Sequence, residues 1–228
     1  MNTHFTYLLV DFGCLLFPFL FSFHTRIRFY LEWKQVWVPA LVTASIFILW
    51  DVCFTHMGVW GFNPDYVCGI YLGNLPLEEI LFFICIPYAC VFTYFCIKNL
   101  SPIGKIKSQP WLVISLSLLL AVAGIMFYDR WYTCVTALSA SAALLIQWYR
   151  KSPYMSTFFI AYILVLPFFF LSNGILTGSF LEAPVVWYDN AENLGIRMFT
   201  IPVEDTFYGM LMVLMNVAGY EFMKSRNS

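Results

Sequence analysis

Two pairs of adjacent carboxylates, Glu78-Glu79 and Glu204-Asp205, are the residues of this chain whose type and spacing best suit chemistry. The second pair follows the first at a constant distance of 126 residues (204 − 78 and 205 − 79). Each pair lies at the head of a long apolar segment. A carboxylate in the middle of a membrane helix costs about 2.5–3.5 kcal/mol, so acidic pairs at matching places indicate proton chemistry in or beside a bilayer.

Helix capping is the competing explanation for these acidic pairs. Pro76 and Pro202 are predicted to be first-turn residues, where proline is tolerated, and Glu78 and Glu204 would be the third residues, where the helix dipole favours a carboxylate. One carboxylate would satisfy that role, yet each site has two. Adjacent carboxylates in a poorly solvated site cannot both ionise easily, so one is expected to hold a proton. Consecutive helical residues point about 100° apart, so only one of each pair can face a reacting atom.

The composition predicts an integral membrane protein. The 228 residues are 61% hydrophobic and only 11% charged, against about 25% charged in soluble domains. A net charge of −1 without a basic face argues against nucleic acid as a partner. The seven cysteines and three histidines show no spacing typical of metal ligands, so no metal site is expected. The first apolar segment is expected to be a retained helix and not a cleaved signal peptide.

Seven apolar stretches approach the roughly 20 residues that a spanning helix needs. They cover residues 5–23, 36–54, 76–97, 110–127, 131–149, 156–176 and 202–222. The predicted fold is an all-α integral membrane protein with seven transmembrane helices, arranged as two parallel three-helix repeats joined by a linker helix. We expect residues 1–100 to form the first repeat, 101–129 the linker helix and 130–228 the second repeat. Without the linker helix the second repeat would be inverted in the membrane.

The basic residues predict the orientation in the membrane. Of the 12 lysines and arginines, all but Arg130 and Arg197 fall on alternate connections. The residues on those connections are Arg26, Arg28, Lys34, Lys98, Lys105, Lys107, Arg150, Lys151, Lys224 and Arg226. The positive-inside rule then predicts a multi-pass protein of the cell membrane with its N-terminus outside and its C-terminus in the cytoplasm.

Two long connections, residues 55–75 and 177–201, are predicted on the non-cytoplasmic side. Their Trp and Tyr residues suit the membrane interface, and we expect these connections to roof a cavity. Aromatic faces around such a cavity would stabilise a carbocation. The predicted substrate-binding residues are Asp51, Trp60, Phe62, Asn63, Phe82, Trp187, Tyr188, Arg197 and Tyr208. Arg197 is expected to pair with a nearby carboxylate such as Glu204 or Asp205, or to be an interfacial arginine.

The duplicated Pro-x-Glu-[Glu/Asp] motif resembles that of the membrane-embedded lycopene cyclases of bacteria, archaea and fungi. Residues 58–64 and 193–197 support the resemblance, which covers essentially the whole chain in fused form. It implies redox-neutral cyclisation of the acyclic ends of lycopene to γ-carotene and then β-carotene, with no cofactor. The implied catalytic residues are Glu78 or Glu204 as proton donor, with Glu79 and Asp205 as tuning partners or base. Lycopene and related carotenoids, membrane lipids and other enzymes of the carotenoid pathway are the expected partners.

Two other functions stay open on the sequence alone. The same helices and carboxylates would suit cyclisation or hydration of another carotenoid, or formation of an ε-ring. Duplicated helices with buried carboxylates are equally natural in a proton-coupled transporter, whose helices are often broken, and Pro18, Pro39, Pro87 and Pro167 could break helices here. A retinal photoreceptor is disfavoured because its Schiff base needs a lysine inside a helix, and the last apolar segment has none before Lys224.

Overall fold

The computed structural model describes residues 3–102 and 110–226, and this part of the chain is mostly helical. Its α-helices are α1 (Thr6–Phe21), α2 (Trp33–Met57), α3 (Leu77–Leu100), α4 (Pro110–Met126), α5 (Trp131–Tyr149), α6 (Met155–Leu176) and α7 (Val203–Arg226). Each coincides with one of the predicted apolar stretches to within a few residues, because long apolar runs bounded by polar or Gly- and Pro-containing connections leave little choice of helix position. Lys105 and Lys107, which entered the orientation prediction, lie outside the described residues.

Membrane-spanning character is strongest in three of the described helices. The helical segments Phe29–Met57, Leu77–Leu100 and Met155–Leu176 are long and apolar enough to cross a bilayer. The helices α1 and α4 are also apolar but shorter, with 16 and 17 residues. Many large apolar side chains face outwards, including Phe17 and Leu49, each 66% exposed. This exposure fits a membrane protein, whose outer surface contacts lipid tails.

The helices α3 and α7 begin one residue later than the sequence predicted. Pro76 is extended, with ψ 153°, and pairs with Tyr71 in a short hairpin, so Leu77 is the first helical residue. Glu78 is therefore the second helical residue and not the third. Pro202 likewise belongs to a strand that ends before α7. The prediction failed by one position because a proline before a helix also fits the extended backbone of a hairpin strand.

Helix packing places α3 and α7 at the centre of the structure. The helix α1 packs on α3, and α5 packs on α7. Contacts also cross between the two halves of the sequence, because α2 packs on α7 and α6 packs on α3. The helix α4 packs mainly on α5. The two helices that carry the acidic pairs thus share most of the buried core, and their first turns face a common space.

Short strands organise the two long connections. They are β1 (Trp60–Phe62), β2 (Tyr71–Leu72), β3 (Leu75–Pro76), β4 (Val186–Tyr188), β5 (Arg197–Met198) and β6 (Ile201–Pro202). The antiparallel pair β1–β4 joins one connection to the other. The hairpins β2–β3 and β5–β6 lead directly into α3 and α7, and their paired residues are 126 positions apart (197 − 71 and 202 − 76). Each acidic helix therefore starts from the same local structure.

Ion pairs fix α3 and α7 at the end opposite the acidic pairs. Lys98 Nζ lies 2.5 Å from Glu221 Oε1, and Lys224 Nζ lies 2.9 Å from Glu32 Oε1. A tyrosine hydroxyl donates a further hydrogen bond to each of these carboxylates. Both ion pairs connect the first half of the sequence to the second, and their lysines are again 126 residues apart (224 − 98). These partly buried, charge-assisted contacts hold the two halves of the sequence together at this end of the bundle.

The hairpin turn before α7 gives a prediction on stability. Phe199 has φ +59°, whereas Gly73 occupies the matching turn with φ +68°. The Phe199 ring is 88% exposed, so it contributes little packing to offset the left-handed backbone. Phe199→Gly should therefore raise the free energy of unfolding by about 1 kcal/mol, measured as thermal unfolding in detergent. The reverse change, Gly73→Phe, should lower it by a similar amount, and a destabilised Phe199→Gly variant would contradict this account.

Candidate active site

A largely apolar cavity of about 850 Å³ lies among α1, α3, α6 and α7 beneath the two long connections. Its size and its few polar groups are typical of a small-molecule site. Eight of the predicted site residues line it, namely Asp51, Trp60, Phe62, Glu79, Phe82, Tyr188, Asp205 and Tyr208. One carboxylate from each acidic pair, Glu79 and Asp205, therefore reaches the same cavity from the two halves of the sequence.

Glu79 belongs to a buried cluster of polar side chains. The Tyr7 hydroxyl donates to Glu79 Oε2 at 2.5 Å. The Asp51 side chain interacts directly with Glu79, and Trp60 interacts with Asp51. Two carboxyl groups can share a hydrogen bond only if one of them is protonated. Glu79 and Asp51 are 7% and 2% exposed, so two buried carboxyl groups meet at the edge of an apolar cavity.

Asp205 sits in a different environment and accepts three hydrogen bonds. Tyr132 Oη donates to Oδ1 at 2.5 Å, while Asn173 Nδ2 and Tyr188 Oη donate to Oδ2 at 2.7 and 2.9 Å. Burial raises the pKa of Tyr188 well above its ordinary value, and the Asp205 carboxylate adds to this rise, so the hydroxyl stays a donor. Three donors favour the ionised form of a carboxyl group. Asp205 is therefore arranged as a carboxylate that can accept a proton.

Sequence reasoning missed Tyr7, Tyr132 and Asn173. Tyr7 and Tyr132 hold equivalent places, since each donates to the second carboxylate of an acidic pair, and they are 125 residues apart (132 − 7). That near-constant offset is the signal that could have found them, had the comparison of the two halves been extended from α3 and α7 to α1 and α5. Asn173 had no comparable signal. It contacts Asp205 in the second half of the sequence, whereas the side chain that contacts Glu79 in the first half is the carboxyl group of Asp51 and not an amide.

The first carboxylate of each pair supports the neighbouring connection and lies outside the cavity lining. Glu78 Oε1 accepts the backbone N–H of Cys68 at 2.6 Å, and Glu204 Oε1 accepts that of Leu194 at 2.8 Å. Thr133 also donates to Glu204, at 2.6 Å. Neither Glu78 nor Glu204 lines the cavity, whereas Glu79 and Asp205 do, so the assignment of the proton donor to Glu78 or Glu204 stays a prediction. These two residues position the connections that close the cavity.

Three predicted binding residues also lie outside the cavity lining. Asn63 accepts the Asp65 N–H at 3.0 Å and caps a short 3₁₀ turn. Trp187 precedes Tyr188 in β4, so it points to the opposite face of the strand and covers Gly61. Arg197 donates to Thr200 O at 3.1 Å and to Asn190 Oδ1 at 2.7 Å instead of pairing with Glu204 or Asp205.

Aromatic rings surround the space between the two carboxyl clusters. The ring of Tyr208 lies 5.2 Å from that of Trp50 and 6.1 Å from those of Trp60 and Tyr132. The Tyr208 hydroxyl is buried without a hydrogen-bond partner. Aromatic faces attract cations, and a water-poor cavity keeps a reactive cation from solvent. The cavity thus brings two carboxyl clusters and a wall of aromatic rings together in one apolar space.

Comparison with known proteins identifies the family to which the sequence is related. The sequence model of the lycopene cyclase family matches the chain twice, over residues 4–97 and 129–223. A bifunctional lycopene cyclase/phytoene synthase from Aspergillus oryzae is 26% identical over 134 residues. That match covers 55% of this chain and 23% of the fungal protein. No solved structure matches the chain. Because the family matches cover most of the sequence, including both acidic helices, the chain belongs to the lycopene cyclase family.

Proposed function

We propose that this chain is a lycopene β-cyclase, an isomerase of the intramolecular lyase type that converts lycopene through γ-carotene to β-carotene. The observation that carries the proposal is the meeting of Glu79 and Asp205 in one apolar cavity. An acyclic polyene is apolar and needs only an acid and a base to form a ring. Family membership gives the substrate class, and the fungal relative's name includes lycopene cyclase activity.

The proposed reaction moves one proton in and one proton out. The Glu79–Asp51 pair donates its proton to the terminal double bond of lycopene, which leaves a tertiary carbocation. The neighbouring double bond attacks this cation, and the new carbon–carbon bond closes a six-membered ring. The ring cation then loses a proton to Asp205, which restores a double bond. A proton beside a carbocation is acidic enough for a carboxylate to remove it. No electron is gained or lost.

We further propose that the chain spans the cell membrane seven times as two parallel three-helix repeats. Residues 1–100 and 130–228 would form the repeats and residues 101–129 the linker helix. Matching hairpins, ion-pair lysines and acidic helices at an offset of 126 residues support this arrangement. The N-terminus would lie outside and the C-terminus in the cytoplasm, so the catalytic cluster would lie near the outer face.

The proposed partners follow from the same reasoning. Lycopene and related carotenoids would be bound from the membrane lipids that surround the helices. Other enzymes of the carotenoid pathway would supply lycopene, and the fungal relative's name joins lycopene cyclase to phytoene synthase in one protein. We propose that the reaction needs no added cofactor, because protonation and deprotonation balance.

Pigment analysis of a lycopene-accumulating bacterium that expresses this chain tests the proposal. We expect lycopene to be replaced by β-carotene, with γ-carotene as a transient species. Purified chain in liposomes without an ion gradient should convert added lycopene as well. Unchanged lycopene in the presence of well-inserted protein would overturn the proposal, and uptake of a solute driven by protons would favour a transporter.

A further inference from the structure

Gly13 is the one helical glycine in the described residues whose missing side chain leaves open space. A Cβ atom built there would meet no atom of another residue within 4 Å, and Gly13 lines the cavity. Glycine in the middle of a helix is less favourable than alanine. A helical glycine therefore usually has a reason, and the common one in membrane proteins is close contact between helices.

Gly124 and Gly219 show that common reason, whereas Gly13 does not. A Cβ at Gly124 would lie 2.7 Å from the Leu138 side chain, where α4 meets α5. A Cβ at Gly219 would collide with Pro39, where α7 meets α2. At Gly174 and Gly209 the added atom would make ordinary contacts at 3.5 and 3.6 Å. Packing between helices therefore explains several of these glycines but leaves Gly13 unexplained.

The cavity extends along α1 away from the carboxyl clusters. Its lining runs from Thr6 to Phe21, which is about 22 Å at 1.5 Å per residue. Opposite α1, the cavity is bordered by residues of α3 and by Phe168 and Leu171 of α6. Phe17, Phe168 and Leu171 are 66%, 71% and 59% exposed on the outer surface of the helices. The cavity therefore reaches the surface between α1 and α6, where α1 packs far less than it does on α3.

We propose that Gly13 determines the width of a lateral path along which the acyclic part of the polyene lies. The polyene enters from the bilayer between α1 and α6. One of its ends lies beside Glu79 and Asp205, and the rest extends along α1 over the open space at Gly13. This inference rests on the proposed function, because it assigns the binding path of that substrate. It also means that one site treats the two ends of the polyene in separate binding events.

A size series at position 13 tests the path. Gly13→Ala, Gly13→Val and Gly13→Phe should reduce the rate of lycopene cyclisation in order of side-chain volume, with about a 10- to 100-fold loss for phenylalanine. Leu16→Phe is the matched control, since Leu16 lies on the same helix, is 52% exposed and is outside the cavity lining. The double variant Gly13→Phe/Phe17→Ala should recover much of the lost rate, because it removes a neighbouring ring from the same path.

Lycopene that copurifies with the protein in detergent separates this inference from the proposed function. Wild type should retain lycopene, Gly13→Phe should retain about tenfold less, and the double variant should regain it. Equal retention and equal rate in wild type and Gly13→Phe would overturn the inference. A loss in Gly13→Phe that the double variant does not restore would also overturn it, because it would indicate structural damage. Lycopene retained by wild type without conversion would instead overturn the proposed function and leave the path standing.

Discussion

Glu79→Gln should lower the rate of lycopene cyclisation by about 10²–10⁴-fold, the usual contribution of a positioned acid or base. The glutamine amide has nearly the same shape, so Tyr7 can still donate to it and the helix start is preserved. It has no transferable acidic proton, so the proposed donation from the pair that Glu79 forms with Asp51 is lost. The measurement is the initial rate of γ-carotene formation from lycopene by purified protein in liposomes.

Glu78→Gln is the matched control for this first prediction. It makes the same chemical change one residue earlier in α3, at a side chain that accepts a backbone N–H from Cys68. The amide oxygen of glutamine can still accept that bond, so we expect a loss of less than about tenfold. Full activity of Glu79→Gln together with an inactive but folded Glu78→Gln would show that the two carboxylates have the opposite roles.

Asp205→Asn should be as severe, with about a 10²–10⁴-fold loss of cyclic product. Three donors converge on this carboxylate, and an asparagine NH₂ group would face at least one of them. The variant therefore loses both the proton acceptor and part of the hydrogen-bond network. Tyr188→Phe, which removes a single donor and keeps the carboxylate, should cost much less. Thermal unfolding of each variant checks that the cavity is still formed.

Deuterium exchange distinguishes the acid from the base. In D₂O, an Asp205→Asn variant with an intact Glu79–Asp51 pair should still protonate lycopene reversibly, so recovered lycopene should gain deuterium. The Glu79→Gln variant should leave recovered lycopene without deuterium. Mass spectrometry of the unreacted pigment gives the answer directly. The reverse pattern of labelling would assign the proton donor to Asp205.

The helices could be predicted from the sequence because a membrane protein has few alternatives. Apolar runs such as residues 131–149 and 156–176 match α5 and α6 almost residue for residue. The starts of α3 and α7 were less certain, because Pro76 suits both a first helical turn and a hairpin strand. That choice depends on Tyr71, a partner five residues earlier that no helical periodicity reveals.

The candidate site was predicted in part, but the sequence did not predict which carboxylate of each pair faces the cavity. The duplicated motif identified both acidic pairs, but the direction of each side chain depends on how the long connections fold back. Glu78 accepts the Cys68 amide instead of lining the cavity, and that contact closes a ten-residue loop around the β2–β3 hairpin. Asp51 reaches Glu79 only through the packing of α2 on α3. Contacts of this kind come from tertiary structure and leave little trace in local sequence.

The ion pairs at the C-terminal ends of α3 and α7 have a consequence for which helices can separate. Lys98–Glu221 joins α3 to α7, and Lys224–Glu32 joins α7 to the residue before α2, so moving α7 away from the first half of the sequence would break two partly buried charge pairs. The helices α1 and α6 pack loosely on each other, and within residues 3–102 and 110–226 no ion pair joins them. We therefore expect α1 and α6 to separate more easily than α3 and α7, and we expect this opening to limit how fast the proposed substrate exchanges with the bilayer.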